Sequence, residues 1–187
     1  MPTSGTLVLV VGPSGAGKDT LISGARAALK GDARFVFPRR AITRSQLAGG
    51  EDHETMPPGA FAAAMAAGAF ALAWRAHGLS YGIPVAIEAA LGQGRHAVVN
   101  VSRSVIVEAR QRYRPLRIVE AWAPIEVLAE RLAARGRESS VEIAQRLARA
   151  SPVPVEGPEV TRIETTGRVA ESLERFLEIL RAVAVES

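Results

Sequence analysis

The sequence contains no cysteine, and aromatic residues make up only 5% of its 187 residues. The absence of cysteine excludes disulfide bonds and thiolate metal sites and favours a reducing compartment, so we expect a cytoplasmic protein. No uninterrupted apolar run reaches the roughly 18 residues of a membrane span. We also expect no signal peptide and no membrane partner, because the first apolar run, at residues 7–11, leads directly into a glycine-rich stretch.

Lysine is scarce as well, although the chain is basic. Lys18 and Lys30 are the lysines among 23 basic residues, which outnumber 19 acidic residues and give a formal net charge of +4. A basic balance suits a protein that handles polyanions, either nucleic acid or phosphorylated metabolites. Because basic and aromatic residues do not cluster on one predicted element, nucleic acid is disfavoured as a partner.

The alternation of apolar runs with amphipathic segments predicts the fold class. Strands are predicted at residues 7–11, 35–38, 70–74, 96–103, 116–123 and 159–165, with helices between them and at 169–183, and an irregular turn at 75–84. This order predicts an α/β fold with a parallel sheet sandwiched by helices. We expect one domain over 1–187, with a core at about 1–43 and 85–187, a substrate lobe at about 44–84 and a lid at about 135–147.

A glycine-rich stretch between the first predicted strand and the first helix is the main functional motif. A G-x-x-x-x-G-K pattern in this setting indicates a phosphate-binding loop, because glycines let the backbone approach phosphate oxygens and the following helix N-terminus attracts them. We expect Lys18 to bridge the two terminal phosphates of a nucleoside triphosphate. The predicted nucleotide-binding residues of this stretch are Gly12, Pro13, Ser14, Gly15, Ala16, Gly17, Lys18, Asp19 and Thr20.

One position departs from the usual pattern of such loops. The residue after the lysine, commonly a Ser or Thr that binds Mg²⁺, is Asp19, and Thr20 follows it. A carboxylate is also an acceptable Mg²⁺ ligand, so either residue could hold the metal. Alternatively, Asp19 caps the start of the helix, where negative charge is favourable.

Arginines cluster at two further places. Residues 39–44 contain Arg39, Arg40 and Arg44 at the predicted end of a strand, which indicates either a solvated edge or, as we favour beside a phosphate loop, an anion clamp. Residues 135–147 contain Arg135, Arg137 and Arg146 around a Gly and Ser segment. That composition suits a mobile lid over phosphates, the alternative being a helical hairpin with solvated arginines.

Polar residues with substrate-binding potential follow two of the predicted strands. His77 and Tyr81 lie in the glycine-punctuated stretch at 75–84, where a structural role for the histidine is the alternative. Asn100, Ser102 and Arg103 lie at the carboxyl end of a buried strand, and ligands of open parallel sheets bind beyond such ends.

Together these motifs resemble the guanylate kinase branch of the P-loop kinases, over nearly the whole chain. Within that branch, Gly-Lys-Asp-Thr at 17–20, Arg-Arg-x-Ile-Thr-Arg at 39–44, Glu-Asp-His at 51–53, the segment at 74–84 and Asn-x-Ser-Arg at 100–103 resemble the ribose 1,5-bisphosphate phosphokinases. The resemblance implies ATP-dependent phosphorylation of ribose 1,5-bisphosphate, a small phosphorylated sugar, with Mg²⁺ as cofactor. The alternatives are another small-molecule kinase, such as a guanylate kinase, and a non-catalytic binding module.

The resemblance also implies roles for individual residues. Arg40 and Arg44, supported by Arg39, would hold acceptor phosphate, whereas Lys18, Arg135 and Arg146 would stabilise the transferred group, with Arg137 near the nucleotide. Contacts to sugar hydroxyls or the second phosphate would come from Glu51, His53, His77 and Tyr81. Two departures from guanylate kinases disfavour GMP: residues 71–73 contain no carboxylate for the guanine N–H groups, and Asn100 replaces a strand-end aspartate.

Overall fold

The computed structural model describes residues 4–44, 52–134 and 154–185. Its strands are β1 (Leu7–Val11), β2 (Phe35–Val36), β3 (Arg40–Ile42), β4 (His53–Thr55), β5 (Phe70–Ala76), β6 (Leu79–Pro84), β7 (His96–Asn100), β8 (Leu116–Trp122) and β9 (Val160–Glu164). Its helices are α1 (Lys18–Ala28), α2 (Pro58–Ala66), α3 (Ala86–Gly92), α4 (Ile106–Arg112), α5 (Ile125–Ala134) and α6 (Val169–Val183). None of the helices in these ranges is long and apolar enough to cross a membrane.

The larger sheet has five strands in the order β2-β7-β1-β8-β9, and all of its neighbours are parallel. The predicted α/β fold is therefore confirmed. β1 lies in the middle of this sheet and all five of its residues are buried, which explains its uninterrupted apolar sequence. The carboxyl ends of β1, β7 and β8 consequently lie side by side at one edge.

Hydrophobic cores cover both faces of the larger sheet. Alternate β1 residues point in opposite directions: Leu7 and Leu9 pack in a core with α3 and α4, whereas Val8 and Val10 pack in a second core with α1, α5 and α6. In α6, Phe176 is fully buried in the second core. These two cores fix β1, and with it the loop that follows it.

A smaller sheet has four strands in the order β4-β3-β6-β5. The arginine-rich segment was predicted at a strand end, but residues 40–42 form β3, which belongs to this sheet rather than to the larger one. The prediction of an irregular turn at 75–84 is also wrong, because β6 pairs with both β5 and β3. The tight turn is confined to His77 and Gly78, whose φ angles of 53° and 74° suit a two-residue hairpin.

Candidate active site

The glycine-rich loop joins β1 to α1 and lies at the carboxyl edge of the larger sheet. Gly12 has a φ of 142°, and a Cβ atom there would lie 2.1 Å from the carbonyl oxygen of Ala121, so a larger residue does not fit. The Lys18 ammonium lies 2.8 Å from each of the carbonyl oxygens of Gly12 and Pro13. The lysine therefore lies folded over the start of the loop.

An open cleft of about 420 Å³ separates this loop from the smaller sheet. The cleft brings together most of the residues that the sequence predicted for the site and adds Trp74, Ala76 and Val101 to them. Ala16 is fully buried and does not line it. The residues that line the cleft are Gly12, Pro13, Ser14, Gly15, Gly17, Lys18, Asp19, Thr20, Arg40, Trp74, Ala76, His77, Tyr81, Asn100, Val101, Ser102 and Arg103.

Asp19 is held from the strand beside the loop. The Asn100 side-chain amide donates a 2.7 Å hydrogen bond to the Asp19 carboxylate, and Asn100 itself is buried. Gly17, rather than Asp19, occupies the N-cap position of α1. Asp19 and Thr20 are both exposed residues that line the cleft.

These oxygen donors fit Mg²⁺, which is commonly held by one or two carboxylates together with substrate phosphates. Within the described ranges, no group of three or more His, Asp or Glu residues could hold a metal ion alone. An ion at Asp19 would therefore complete its coordination with water and substrate phosphate oxygens.

Arg40 connects the two sheets across the cleft. Its Nη1 donates a 2.9 Å hydrogen bond to the backbone carbonyl of Asn100. Its guanidinium carbon lies 5.8 Å from the ring centre of Trp74 and 5.5 Å from that of Tyr81. The two rings stack with centres 5.3 Å apart and planes inclined by only 4°. Cation–π contact and hydrogen bonding thus hold this arginine at the cleft wall.

Arg39, Arg44 and His53 do not line the cleft. Arg39 pairs with the Asp52 carboxylate at 2.8 Å and donates a 2.7 Å hydrogen bond to the carbonyl of His53. The His53 ring is buried, with Nε2 3.1 Å from the carbonyl oxygen of Arg44. These contacts give His53 and Arg39 structural roles, and their predicted contacts with substrate stay predictions.

Some predicted residues lie outside the described residues. They are Glu51 and the lid arginines Arg135, Arg137 and Arg146, together with the whole of the predicted lid at 135–147. Their assignments stay predictions.

Two residues of interest were not predicted from the sequence. Trp74 lies opposite Tyr81 in the β5–β6 pairing, a relationship that becomes visible only once the hairpin register is known. Glu120 is fully buried on β8 and pairs with both Arg103 and Arg162. A single carboxylate inside the apolar run at 118–121 was the available signal, since buried charges are paired.

Comparisons with known proteins identify sequence relatives of the chain. The chain is 51% identical over 180 residues to ribose 1,5-bisphosphate phosphokinase PhnN of Acidiphilium cryptum, covering 96% of this chain and 94% of that protein. It is 49% identical over 178 residues to the protein of the same name from Methylobacterium radiotolerans, covering 95% and 98%.

Among solved structures, guanylate kinase from Anaplasma phagocytophilum superposes with a TM-score of 0.66 at 16% identity, covering 96% of this chain and 86% of that one. At that identity the likeness concerns the fold alone. No family model matches the chain. The sequence relatives match over nearly their full length, and the chain therefore belongs to the ribose 1,5-bisphosphate phosphokinase family.

Proposed function

We propose that the protein transfers the terminal phosphoryl group of ATP to ribose 1,5-bisphosphate, giving 5-phosphoribosyl 1-diphosphate and ADP. The relatives that carry the name of this activity support the proposal. The structural observation that carries it is the single cleft shared by Lys18 of the phosphate loop and Arg40 of the smaller sheet. Such a cleft can hold a donor phosphate and an acceptor phosphate next to each other.

The chemistry of the cleft favours a phosphorylated sugar over a guanine nucleotide. In the region where guanylate kinases carry a base-binding carboxylate, Ala71 and Leu72 are buried in the core. Among the described residues that line the cleft, Asp19 is the only acidic one, so little is available to accept the guanine N–H groups. Arg40 and Arg103 instead offer cations to phosphate, while Tyr81 and His77 offer hydrogen-bonding groups to hydroxyls.

Phosphoryl transfer mainly requires the protein to position its substrates and to neutralise the charge on their phosphates. An acceptor phosphate oxygen is already ionised near neutral pH, so the reaction needs no covalent nucleophile on the protein. Lys18 would bind the terminal phosphates of ATP, and Arg40 and Arg103 would orient the acceptor phosphate. Asp19 and Thr20 are the candidates to hold Mg²⁺, which when bound neutralises charge on the phosphates.

Residues of the predicted lid complete the proposed site. Arg135 and Arg146 would stabilise charge on the transferred group, and Arg137 would lie near the nucleotide. The cytoplasmic location expected from the absence of cysteine also stays a prediction.

The decisive test measures ADP release from ATP and Mg²⁺ with purified protein, comparing ribose 1,5-bisphosphate with GMP and identifying the product by mass. We expect turnover with the sugar bisphosphate and not with GMP. Turnover with GMP alone would contradict the proposed acceptor. If neither reacts, thermal stabilisation by ATP would still distinguish a kinase with another acceptor from a module that binds no nucleotide.

A further inference from the structure

A buried carboxylate beside the phosphate loop binds two arginines at once. Glu120 is fully buried on β8, directly across from Val11, the residue that precedes the loop. One of its oxygens pairs with Nη2 of Arg103, and the other lies 2.9 Å from Nε of Arg162. The backbone N–H of Val155 lies 3.4 Å from both oxygens. Both oxygens of the carboxylate therefore have specific partners.

The two arginines differ in what else surrounds them. The Arg162 guanidinium lies 4.6 Å from the ring centre of Trp122, and Arg162 does not line the cleft. Arg103 does line the cleft, and about a quarter of its side chain, 25%, is exposed. Two guanidinium groups and one carboxylate leave one positive charge in excess. The Arg162 side chain is the more exposed of the two, at 40%, but of the two arginines it is Arg103 that presents its charge to the cleft.

The path of Arg103 across the sheet explains why it needs an anchor. Arg103 follows β7, whereas Glu120 lies on β8, and β1 separates these two strands. The side chain must therefore extend past the end of β1, where the phosphate loop begins. A long side chain loses considerable rotamer freedom in such a position, and a buried, charge-assisted pair is strong enough to hold it there.

We propose that Glu120 is a positioning residue for the kinase reaction, fixing Arg103 so that its guanidinium faces the acceptor phosphate. This inference rests on the proposed function, since Arg103 is taken to act on the acceptor. Glu120 does not touch substrate itself. Its role is exerted through Arg103, with Arg162 as the second cation that holds the carboxylate in place.

Steady-state kinetics of Glu120→Gln, Arg103→Met and the double variant test this role. A hydrogen bond to a charged group contributes a factor of about ten or more to a binding constant. We therefore expect each single variant to raise the KM for ribose 1,5-bisphosphate by roughly that factor. The KM for ATP should change less than about twofold, since Arg103 is assigned to the acceptor. The double variant should be no worse than Arg103→Met alone, because Glu120 acts only through that arginine.

A merely structural role for Glu120 predicts a different pattern. The effects of Glu120→Gln and Arg103→Met would then add, or both KM values would rise together, and either result would overturn the proposal. Glu159→Gln is the matched control, because it breaks the ion pair between Glu159 and Arg110, neither of which lines the cleft. It should leave both KM values unchanged.

Two further measurements apply if Glu120→Gln does not fold or if the protein shows no turnover. Should Glu120→Gln not fold, Glu120→Gln/Arg162→Gln removes one charge of each sign and avoids leaving two arginines around a neutral residue. Nitrogen NMR of the Arg103 guanidinium, assigned by its loss in Arg103→Lys, should show restricted rotation in the wild type and faster rotation in Glu120→Gln. Free rotation in the wild type would overturn the proposal. If the protein shows no turnover with ribose 1,5-bisphosphate but rotation of the Arg103 guanidinium is restricted, only the proposed function is contradicted.

Discussion

The side-chain amide of Asn100 donates a hydrogen bond to the Asp19 carboxylate, with 2.7 Å between Nδ2 and Oδ1. Asn100 ends β7, and Asp19 lies in the first turn of α1. P-loop enzymes commonly place a Ser or Thr hydroxyl after the loop lysine and an aspartate on a neighbouring strand. Here the carboxylate follows the lysine and an amide lies on the strand. The negative charge is therefore on the helix instead of the strand, and the Asn100 amide orients it.

This exchange predicts the metal dependence of two variants. We expect Asp19→Ser to weaken binding of Mn²⁺, used as a probe for Mg²⁺, by about tenfold, because it removes a charged oxygen ligand. Asp19→Ser/Asn100→Asp should recover most of the affinity, because it returns one carboxylate to the same place. Electron paramagnetic resonance of free Mn²⁺, with a non-hydrolysable ATP analogue present, measures the binding.

Thr20→Val is the companion variant, since Thr20 is the other candidate ligand. If this variant loses Mn²⁺ affinity while Asp19→Ser binds as tightly as the wild type, the metal belongs to Thr20. The charge exchange between Asp19 and Asn100 would then have no role in metal binding.

Replacement of Lys18 should strongly reduce transfer without unfolding the protein. The ammonium bonds to two loop carbonyls, and Lys18 lines the cleft in which the terminal phosphates are proposed to bind. We therefore expect Lys18→Ala to lower kcat by about 10²- to 10³-fold, as for other preorganised electrostatic groups. The midpoint of urea unfolding should stay near that of the wild type. Lys30→Ala is a suitable control, because Lys30 is exposed beyond the end of α1. Normal turnover by Lys18→Ala would contradict the location of the transfer site.

Two adjacent arginines should differ in their effect on acceptor binding. Arg40 lines the cleft and is held by Asn100, Trp74 and Tyr81, so Arg40→Met should raise the KM for the sugar bisphosphate by about tenfold or more. Arg39→Met should have a smaller effect, because Arg39 pairs outside the cleft.

Tryptophan fluorescence offers an independent measurement of the same difference. The chain has two tryptophans, so Trp122→Phe leaves Trp74 as the reporter. We expect acceptor binding to change the Trp74 emission in this background, and the change to require Arg40 but not Arg39. Equal losses from both arginine variants would contradict the assignment of Arg40 as the main phosphate contact.

Local sequence signals predicted the centre of this fold well. The apolar run of β1, the glycines after it and the amphipathic α1 each follow from neighbouring residues, as does α6, which begins and ends where predicted. The smaller sheet was harder to predict. Its strand β6 contains Gly82 and Pro84, which disfavour strands, and it forms because Tyr81 and Gly82 pair with both β3 and β5.

Side-chain partnerships within the site were beyond prediction for the same reason. Glu120 meets Arg103 and Arg162 only because β7, β1, β8 and β9 lie side by side, and no spacing in the sequence encodes that contact. The burial of His53 was equally hard to predict, because its sequence neighbours are acidic whereas its ring is buried near the carbonyl of Arg44. Its contact with substrate stays a prediction.

A buried histidine at the start of β7 makes stability depend on pH. His96 is almost fully buried, and its Nδ1 accepts a 3.1 Å hydrogen bond from the backbone N–H of Thr6, which requires an unprotonated Nδ1. Burial, assisted by the positive charge of Arg34, lowers the pKa of His96 below its ordinary value of 6.5. As the pH falls below 6.5, the unfolded chain therefore gains a proton that the folded protein does not bind.

The free energy of unfolding should consequently fall as the pH is lowered from 7 to 5. The slope should correspond to the uptake of at most one proton on unfolding. Urea unfolding of the wild type and His96→Gln across this range measures the effect. The glutamine can still accept a hydrogen bond but does not titrate, so the variant should lose less stability at low pH. Arg34→Gln should also flatten the dependence, since removing that charge makes His96 easier to protonate. An identical pH dependence in His96→Gln and the wild type would show that this histidine does not govern the loss of stability.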